Sequence, residues 1–390
     1  LIKKLYQFRL YPSKKQEIVL EEHLYLLQFC YNTLLAFKIK TYKEEKKNLS
    51  CFDLNNYLVL LKQEYPLLKK VHSQTLQDIS KRVSLAFNHF FRRVKYKENP
   101  GFPRFKSQHR YHSLTYPQSG FHIKHNKLSL SKLGDISIVQ HRNMEGIIKT
   151  LIIKKTPTNK WYANFCVEKQ RTILPSLHHR SVGIDLGLHH FYATSEGTFV
   201  DNPRYLRITE TKLIQVSRRH SKKKKGSKNR IKSRFKLARV HEKIVFQRLD
   251  FLHKESYKLS RAYQSIAVED LKIKTMVQNR YLSKSIHDAS WNRFIQLLSY
   301  KVEDTGGILV KVDPRNTSQT CMCGNNVKKS LNIRIHSCNH CGITLDIDVM
   351  SALIIKQLAF GSTVGSTGSN AWGNVSRETS MNQESLASYS

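Results

Sequence analysis

Carboxylates suited to binding a metal ion lie on three apolar segments of the 390-residue sequence. Asp185 lies within the first, Glu269 and Asp270 end the second, and Asp346 and Asp348 directly precede the third. A charge on a buried strand is costly unless a ligand binds it, and magnesium requires several oxygen ligands. Two-metal sites that cleave phosphodiesters take such carboxylates from separate elements. The pattern predicts such a site, although any one of these acids is more often a surface or capping carboxylate.

The segment around Asp185 reads Ser-Val-Gly-Ile-Asp-Leu-Gly-Leu over residues 181–188. Its apolar run predicts a strand buried on both faces, and Gly183 and Gly187 leave room for a ligand or another backbone. Residues 189–197 predict the next strand and a tight hairpin turn. The same G-x-D-x-G pattern opens actin-like ATP-binding folds and also occurs in ordinary strand and turn segments. This segment alone therefore leaves those two interpretations open.

Four of the seven cysteines are clustered in the sequence, namely Cys321, Cys323, Cys338 and Cys341. Tetrahedral zinc takes four such ligands on two tight turns, and the second pair has the expected two-residue gap followed by glycine. The first pair has a one-residue gap, which shortens its turn. His336 or His340 is then an alternative ligand, and a ribbon that holds no metal is the competing interpretation. An odd cysteine count with one tight cluster indicates a metal site in a reducing compartment.

The charge of the chain indicates its partner. The sequence has 66 Lys and Arg against 29 Asp and Glu, a formal net charge of +37. Such a charge favours a polyanion, and nucleic acid is the obvious candidate. A membrane surface is the competing partner, but no stretch has about 18 consecutive apolar residues, and residues 1–20 lack the cleavage site of a secretory signal. We expect a cytoplasmic protein that does not bind membranes.

Periodicity predicts a chain of both α/β and all-β parts. Residues 4–10 alternate as a half-buried strand, and Ser13 with Gln16 forms a capping-box pattern that begins a helical region. After Gly101, short strand-like runs separated by turn residues predict a small β-barrel into which the helical region is inserted. These runs are residues 114–116, 128–130, 136–139, 147–153 and 161–167.

A basic block follows the Asp185 segment. Residues 204–248 contain 17 Lys or Arg and only two acids. Apolar residues at helical spacing over 245–263 indicate a helical hairpin that binds a polyanion. Beyond Gly361 the low-complexity sequence predicts a disordered tail. The remaining predicted elements are a helix from Ser290, a strand over 307–312 and a helix over 349–358.

Several motifs occur in a fixed order along the chain. They are Tyr-Gln-Phe-Arg-Leu-Tyr-Pro at 6–12, Gly-Phe-Pro-Arg-Phe-Lys at 101–106, Gly-Ile-Asp-Leu-Gly at 183–187, Val-Glu-Asp-Leu at 268–271, Val-Asp-Pro-Arg-Asn-Thr-Ser-Gln-Thr-Cys at 312–321, the knuckle at 338–341 and Asp-Ile-Asp at 346–348. Together they closely resemble the TnpB (OrfB) family of insertion-sequence proteins, long labelled transposases. The resemblance extends to about residue 358.

The resemblance implies a fold, an activity and its residues. The implied fold is an RNase H-like (RuvC) nuclease domain with an inserted zinc ribbon, and an N-terminal wedge β-barrel with a helical recognition lobe. The implied activity is RNA-guided cleavage of double-stranded DNA beside a transposon-adjacent motif, with a guide RNA from the end of the element. The implied catalytic acids, which hold two Mg²⁺ ions, are Asp185, Glu269 and Asp348. The implied ligands of a structural Zn²⁺ are Cys321, Cys323, Cys338 and Cys341.

The resemblance also divides the chain. We expect the wedge β-barrel at residues 1–12 and 98–176, the recognition lobe at 13–97, the nuclease domain at 177–358 and a disordered tail at 359–390. Within the nuclease domain we expect the basic helical hairpin at 204–264 and the zinc ribbon at 315–345.

The sequence departs from the family pattern around the last acid. The family reads C-x-x-C in the first knuckle and D-R-D-x-N-A-A-x-N-I at the end, whereas this chain has Ile347 for Arg, Met350 for Asn, Ser351 for Ala and Ile354 for Asn. Polar neighbours orient metal ligands, so we expect weakened activity. We predict an RNA-guided, magnesium-dependent DNA endonuclease. The alternatives are a non-cleaving RNA-guided or plain DNA-binding protein that regulates transposition, and a structural RNA-binding protein, which would not explain the three acids.

Overall fold

The structure, a computed structural model, describes residues 1–170, 180–328 and 333–361. The chain divides into two compact units. The first comprises the described residues of Leu1–Pro175 and Arg204–Glu255, and the second those of Ser176–Pro203 and Ser256–Ser390. The predicted domain boundary at residue 176 and the predicted tail beyond residue 361 lie outside the described residues. No helix in the described ranges is long and apolar enough to cross a membrane.

A seven-stranded antiparallel sheet forms the barrel of the first unit. Its strands are β1 (Ile2–Tyr11), β2 (Ser113–Tyr116), β3 (Phe121–Lys124), β4 (Lys127–Leu130), β5 (Gly134–Val139), β6 (Ile147–Lys155) and β7 (Trp161–Lys169). Their order across the sheet is β2-β6-β7-β1-β5-β4-β3, so β1 pairs with both β7 and β5. All five predicted runs form strands. Strand β3 is not among the predicted runs, because its four residues are too few to show a period.

Alternating side chains fill the interior of this sheet. Tyr6, Phe8 and Leu10 of β1 are buried, as their alternation predicts. The ring of Phe165 on β7 lies 6.0 Å from that of Phe8 and 6.4 Å from that of Phe121 on the edge strand β3. The edge strand therefore curls towards the interior, and the sheet is nearly closed.

Three helices lie between β1 and β2 in the chain, namely α1 (Lys14–Glu45), α2 (Cys51–Glu64) and α3 (Ser73–Lys95). Helix α1 begins where predicted. The Ser13 side chain accepts a hydrogen bond from the Gln16 backbone, and the Gln16 side chain accepts one from the Ser13 backbone. Leu76, Ile79 and Val83 of α3 are buried, and the helices and the barrel share one continuous apolar core. Helices and barrel therefore pack as one body.

The basic block forms two helices, α4 (Tyr205–Ser221) and α5 (Lys228–Ala262), and the last turns of α5 belong to the second unit. Arg230 Nη1 closes the hairpin by donating to the backbone oxygen of Lys223 at 2.7 Å. Glu242 of α5 accepts hydrogen bonds from Thr158 Oγ1 (2.6 Å) and Lys160 Nζ (2.7 Å) between β6 and β7. Glu242, one of the two acids of the block, thus binds α5 to the barrel. Helix α4, by contrast, buries none of its side chains.

A five-stranded sheet forms the second unit. Its strands are β8 (Ser181–Leu186), β9 (His190–Thr194), β10 (Phe199–Asp201), β11 (Ser265–Glu269) and β12 (Ile308–Val312), in the order β10-β9-β8-β11-β12. Strands β8, β11 and β12 are parallel, and β9 and β10 are added by antiparallel hairpins. Helices α6 (Ile273–Met276), α7 (Ser283–Ala289) and α8 (Trp291–Asp304) lie between β11 and β12 in the chain. The ring of Phe294 on α8 packs against Phe191 and Tyr192 of β9.

The chain then forms an antiparallel ribbon, β13 (Ile335–Ser337) with β14 (Thr344–Asp346), and the last helix, α9 (Ile347–Phe360). Helix α9 packs on β8, β11 and β12. It extends beyond residue 358, where the expected tail begins, because Ala359 and Phe360 pack against the buried Ala267, Val312 and Ile355.

Candidate functional site

Strand β8 brings Asp185 beside Glu269. Strands β8 and β11 are parallel with Ile184 opposite Val268, so the next residues along them, Asp185 and Glu269, are neighbours across the ladder. The residues of both strands between the first residue and the acid are buried, Glu269 is 8% exposed, and Asp185 is partly exposed. Two acids far apart in the sequence thus meet at the carboxyl ends of parallel strands, where open α/β sheets bind their ligands.

Helix α9 crosses β8 at Gly183. A Cβ on this glycine would lie 1.9 Å from the backbone oxygen of Ala352 and 2.7 Å from the backbone nitrogen of Lys356, so only glycine fits. Residues two apart on a strand share a face, which places Asp185 on the side where the helix packs. Asp348 lies one turn before Ala352. The close contact at Gly183 therefore brings the first turn of α9 towards Asp185.

Two acids at the start of α9 have different roles. Asp346 caps the helix, since its Oδ1 accepts a hydrogen bond from the Asp348 backbone at 2.8 Å. The Asp348 carboxylate is turned instead towards Arg334, whose Nη1 lies 3.7 Å from Asp348 Oδ1. Arg334 lies opposite Ile347, which donates its backbone N–H to the Arg334 oxygen at 2.8 Å. Since Asp346 caps the helix, Asp348 is the better candidate for a third acid beside Asp185 and Glu269.

Burial and neighbouring acids raise the pKa values of the carboxyl groups at this site. Burial raises the pKa of Asp185 well above its ordinary value, and the charges of Glu269, Asp348 and Asp346 raise it further. Burial also raises the pKa of Glu269 and of Asp348, and Arg334 partly offsets the rise at Asp348. Carboxylates gathered in a buried cleft are typical of functional sites, because a bound cation relieves their repulsion.

Thr317 orients Glu269, a role that the sequence alone does not indicate. Its Oγ1 donates a hydrogen bond to Glu269 Oε1 at 2.5 Å, and Thr317 itself is only 4% exposed. This bond lowers the pKa of Glu269 against the effect of burial. The strand register explains why the two residues meet. Glu269 pairs with Val312 at the end of β12, so the segment that follows β12 and contains Thr317 starts beside Glu269.

The four clustered cysteines form a second site. Their sulfur atoms all lie within 4.8 Å of one another, with 3.5 Å between Cys321 and Cys341 and 3.7 Å between Cys323 and Cys338. Sulfurs around tetrahedral zinc are about 3.8 Å apart, so these residues fit zinc. Among the described residues this is the one group of three or more His, Cys, Asp or Glu that converges so closely, and it does not include His336 or His340.

The two knuckles reach the same arrangement by different turns. Gly324 donates its backbone N–H to the Cys321 oxygen at 2.9 Å, and Gly342 donates to the Cys338 oxygen at 2.8 Å. Both glycines have positive φ angles, 83° and 75°. The first turn therefore accommodates its one-residue gap by closing three residues after its first cysteine instead of four. Backbone N–H groups, that of Cys341 first, lower the pKa of the Cys338 thiol to about 6, which favours the thiolate that zinc binds.

Helix α9 connects the two sites. Cys321 and Cys338 pack against Met350 and Ile354 of the helix, whose first turn carries Asp348. Met350 and Ile354 are the positions where the family pattern has Asn. Their apolar side chains are thus buried against the cysteine ribbon, which gives both departures a packing role.

Comparison with known proteins identifies the family. A Streptomyces pristinaespiralis protein named "Putative RNA-guided DNA endonuclease" is 31% identical over 362 residues, covering 90% of this chain and 88% of its own length. The chain belongs to the TnpB (OrfB) family. The Escherichia coli K12 protein "Putative RNA-guided DNA endonuclease InsQ" is a further relative of this TnpB protein, 28% identical over 379 residues and 92% of each chain.

Family models match three parts of this TnpB protein. The IS605 OrfB model, described as "Probable transposase", matches residues 164–280, and the "Cas12f1-like, TNB domain" matches 291–355. A "Helix-turn-helix domain" matches residues 2–47, which here form β1 and the single long helix α1. A chain of the solved Cas12f1–sgRNA–target DNA complex shares the fold, with a TM-score of 0.58, 13% identity and coverage of 91% of this chain and 98% of that chain. The expected mixed α/β fold is confirmed.

Proposed function

We propose that this protein is an RNA-guided, magnesium-dependent DNA endonuclease in which Asp185, Glu269 and Asp348 bind the metal ions. The observation that carries the proposal is that Asp185 and Glu269 are neighbours on adjacent parallel strands, while Asp348 is in the first turn of the helix that packs on the Asp185 strand at Gly183. The relatives whose names describe RNA-guided DNA endonucleases span nearly the whole chain, which supports the guided mechanism. We assign the acids to an RNase H-like (RuvC) domain at 177–358, preceded by the wedge β-barrel and its helical lobe.

The donor set fits hard divalent cations. Its groups are carboxylates, the oxygen ligands that Mg²⁺ binds, and a two-metal site takes such carboxylates from separate elements. Bound magnesium would supply charge neutralisation and polarise the scissile phosphodiester. The residues of the chain hold the carboxylates that would bind the ions. Asp185 and Glu269 present carboxylates from adjacent strands, Thr317 fixes the Glu269 side chain, and the packing of α9 at Gly183 positions Asp348.

The partners follow from charge and the basic helices. The 17 Lys and Arg of residues 204–248 are Arg204, which is the N-cap residue of α4, and 16 residues on α4, on α5 and in the turn between them. Helix α4 buries no side chain. We propose a guide RNA from the end of the element as a lasting partner and double-stranded DNA as the substrate, with the cysteine ribbon stabilised by one zinc ion.

The test uses the complex of the protein with the RNA that it binds during expression. The protein, expressed with the DNA that flanks its gene, should copurify with one discrete RNA. That complex should cut DNA matching the variable end of the RNA, with magnesium and not with EDTA. A discrete RNA without cleavage would support the non-cleaving alternative. Sequence-selective DNA binding without RNA would remove the guided mechanism.

The non-cleaving alternative is favoured by one observation, the loss of the family arginine at position 347. The structure offers a counterpart, because Arg334 lies directly across the ladder from Ile347 and reaches Asp348. If this guanidinium replaces the missing one, Arg334→Ala should slow cleavage at least tenfold, and adding Ile347→Arg to that variant should restore most of the rate. An unchanged cleavage rate for Arg334→Ala would show that Arg334 does not replace the family arginine that is absent at position 347.

A further inference from the structure

Exposed aromatic rings occur among basic residues at the end of α3 and just after it. Phe91 is 50% exposed, Tyr96 66%, Phe102 50% and Phe105 59%. Soluble proteins rarely expose several large apolar side chains in one stretch unless a partner covers them. The motif at residues 101–106, which the candidate site does not use, is therefore a candidate binding surface.

Two of these rings share an apolar base. The Phe102 centroid lies 5.3 Å from that of Phe90 and 5.7 Å from that of Phe87, and Phe90 lies 5.2 Å from Phe91. Phe87 is itself buried. These contacts hold Phe91 and Phe102 in place and leave half of each ring open to solvent.

The segment at 101–106 has neither helix nor strand, yet both of its ends are fixed. Asn32 of α1 donates to the backbone oxygen of Lys106 at 2.9 Å and accepts from its N–H at 2.8 Å, and Gln28 donates to the same oxygen at 2.6 Å. Arg93 Nη2 donates to the Gly101 oxygen at 3.1 Å. The backbone that carries Phe102 and Phe105 is therefore organised before any partner binds, which reduces the entropic cost of binding.

The charge around the rings selects the partner. Residues 91–106 contain six Lys or Arg and one acid, Glu98. An apolar protein surface would leave these cations without counterions, whereas a nucleic acid supplies both phosphates and flat bases. Bases within a duplex are already stacked on one another, so only unpaired nucleotides have faces free to stack on protein rings.

We propose that the aromatic–basic surface, defined as Phe91, Phe102, Phe105, Arg104 and Lys106, binds unpaired nucleotides of RNA. Bases stack on the rings, and the two cations bind the adjacent phosphates. The identity of this RNA as the guide rests on the proposed function, because a guide RNA is the partner that brings unpaired nucleotides into a lasting complex.

A fluorescent reporter tests the stacking itself. In Phe102→Trp, a short oligoadenylate RNA should quench the introduced tryptophan, whereas an abasic strand of the same length should not. The parent chain, whose tryptophans are Trp161, Trp291 and Trp372, is titrated with the same strands and its change in emission is subtracted. Trp161 and Trp291 are buried, and Trp372 lies outside the described residues. Equal quenching by the abasic strand, or none by either, would overturn the proposal. Quenching by oligodeoxyadenylate but not by the RNA would assign the surface to DNA and overturn it as well.

A matched pair of variants tests the surface in the complex. The double variant Phe102→Leu/Phe105→Leu keeps apolar bulk but removes the flat faces, and it should bind the copurified RNA about fivefold or more weakly with an unchanged salt slope. Phe52→Leu is the control, since Phe52 is 71% exposed on α2 between Cys51 and Asp53. Equal affinities for the two variants would contradict the proposal. If no RNA copurifies, the proposed function fails, and the reporter with bare oligonucleotides still decides on the surface.

Discussion

The backbone oxygen of Ala352 lies 1.9 Å from the place that a Cβ on Gly183 would occupy. This contact between α9 and β8 relates the strand that carries Asp185 to the helix that carries Asp348. The position of Asp348 therefore depends on Gly183, two residues before Asp185, because only a residue without a side chain allows the helix this close to the strand.

Gly183→Ala should consequently displace α9 and separate the acids. We expect cleavage to fall at least a hundredfold while RNA still copurifies, because the barrel and residues 204–255 of the basic helices belong to the other unit. Gly197→Ala is the control, since Gly197 lies in the hairpin turn after β9 with no atom within 4 Å of an added Cβ, and it should reduce stability only mildly through its positive φ. Full cleavage by Gly183→Ala would refute this dependence.

Asp185 should destabilise the metal-free protein at neutral pH. Its pKa is raised in the folded state, so the unfolded chain loses its proton first as the pH rises above about 4, and the folded state becomes less stable. Asp185→Asn should therefore raise Tm by about 2–4 °C at pH 7 in EDTA, with the difference vanishing near pH 4. Magnesium should raise the Tm of the parent only. A lower Tm for Asp185→Asn at pH 7, measured by scanning fluorimetry, would contradict this account.

Thr317 should act on cleavage through Glu269. Thr317→Val keeps the shape but leaves the buried carboxylate without its donor, and we expect about a tenfold or greater loss of kcat. Thr317→Ser retains the hydroxyl and should recover most of the rate. The pH profile separates positioning from packing, because loss of this bond raises the pKa of Glu269 and moves the acidic limb of the profile upwards. Identical profiles for the Val and Ser variants would exclude the role.

The cysteine group should hold about one zinc ion per chain, measured by elemental mass spectrometry. Cys338→Ser should lose it, whereas Cys51→Ser, outside the group, should keep it. Zinc removal should also lower cleavage, because Met350 and Ile354 pack α9 against the cysteine ribbon. Protein that is folded and active without zinc would show that this packing alone supports α9.

Local signals in the sequence were sufficient for much of this structure. The Ser13 cap, the alternation of β1 and the acids at strand ends each depend on a few neighbouring residues, and each is found where expected. The unexpected features depend on distant pairings. Thr317 meets Glu269, and Arg334 meets Asp348, only because strands bring their backbones together. The motif at 312–321 includes Thr317, but neither residue type nor spacing indicated the partner of Thr317 or of Arg334.

The sequence did not show where its departures from the family pattern lie. Met350 and Ile354 replace two Asn residues, and the structure buries both side chains against Cys321 and Cys338; their effect on activity stays a prediction. The one-residue gap at Cys321 shortens the first turn, and the turn that closes at Gly324 still brings the sulfurs together.

The most direct test of the central claim is cleavage by the purified RNA complex of the parent chain and of three variants, Asp185→Ala, Glu269→Ala and Asp348→Ala. We predict magnesium-dependent cutting of DNA that matches the RNA by the parent, and none by the variants, with RNA and DNA binding nearly unchanged in all four. Asp346→Ala is the control, and it should weaken the helix cap while leaving measurable cutting. Cleavage by the Asp348→Ala complex at the parent rate would contradict the assignment.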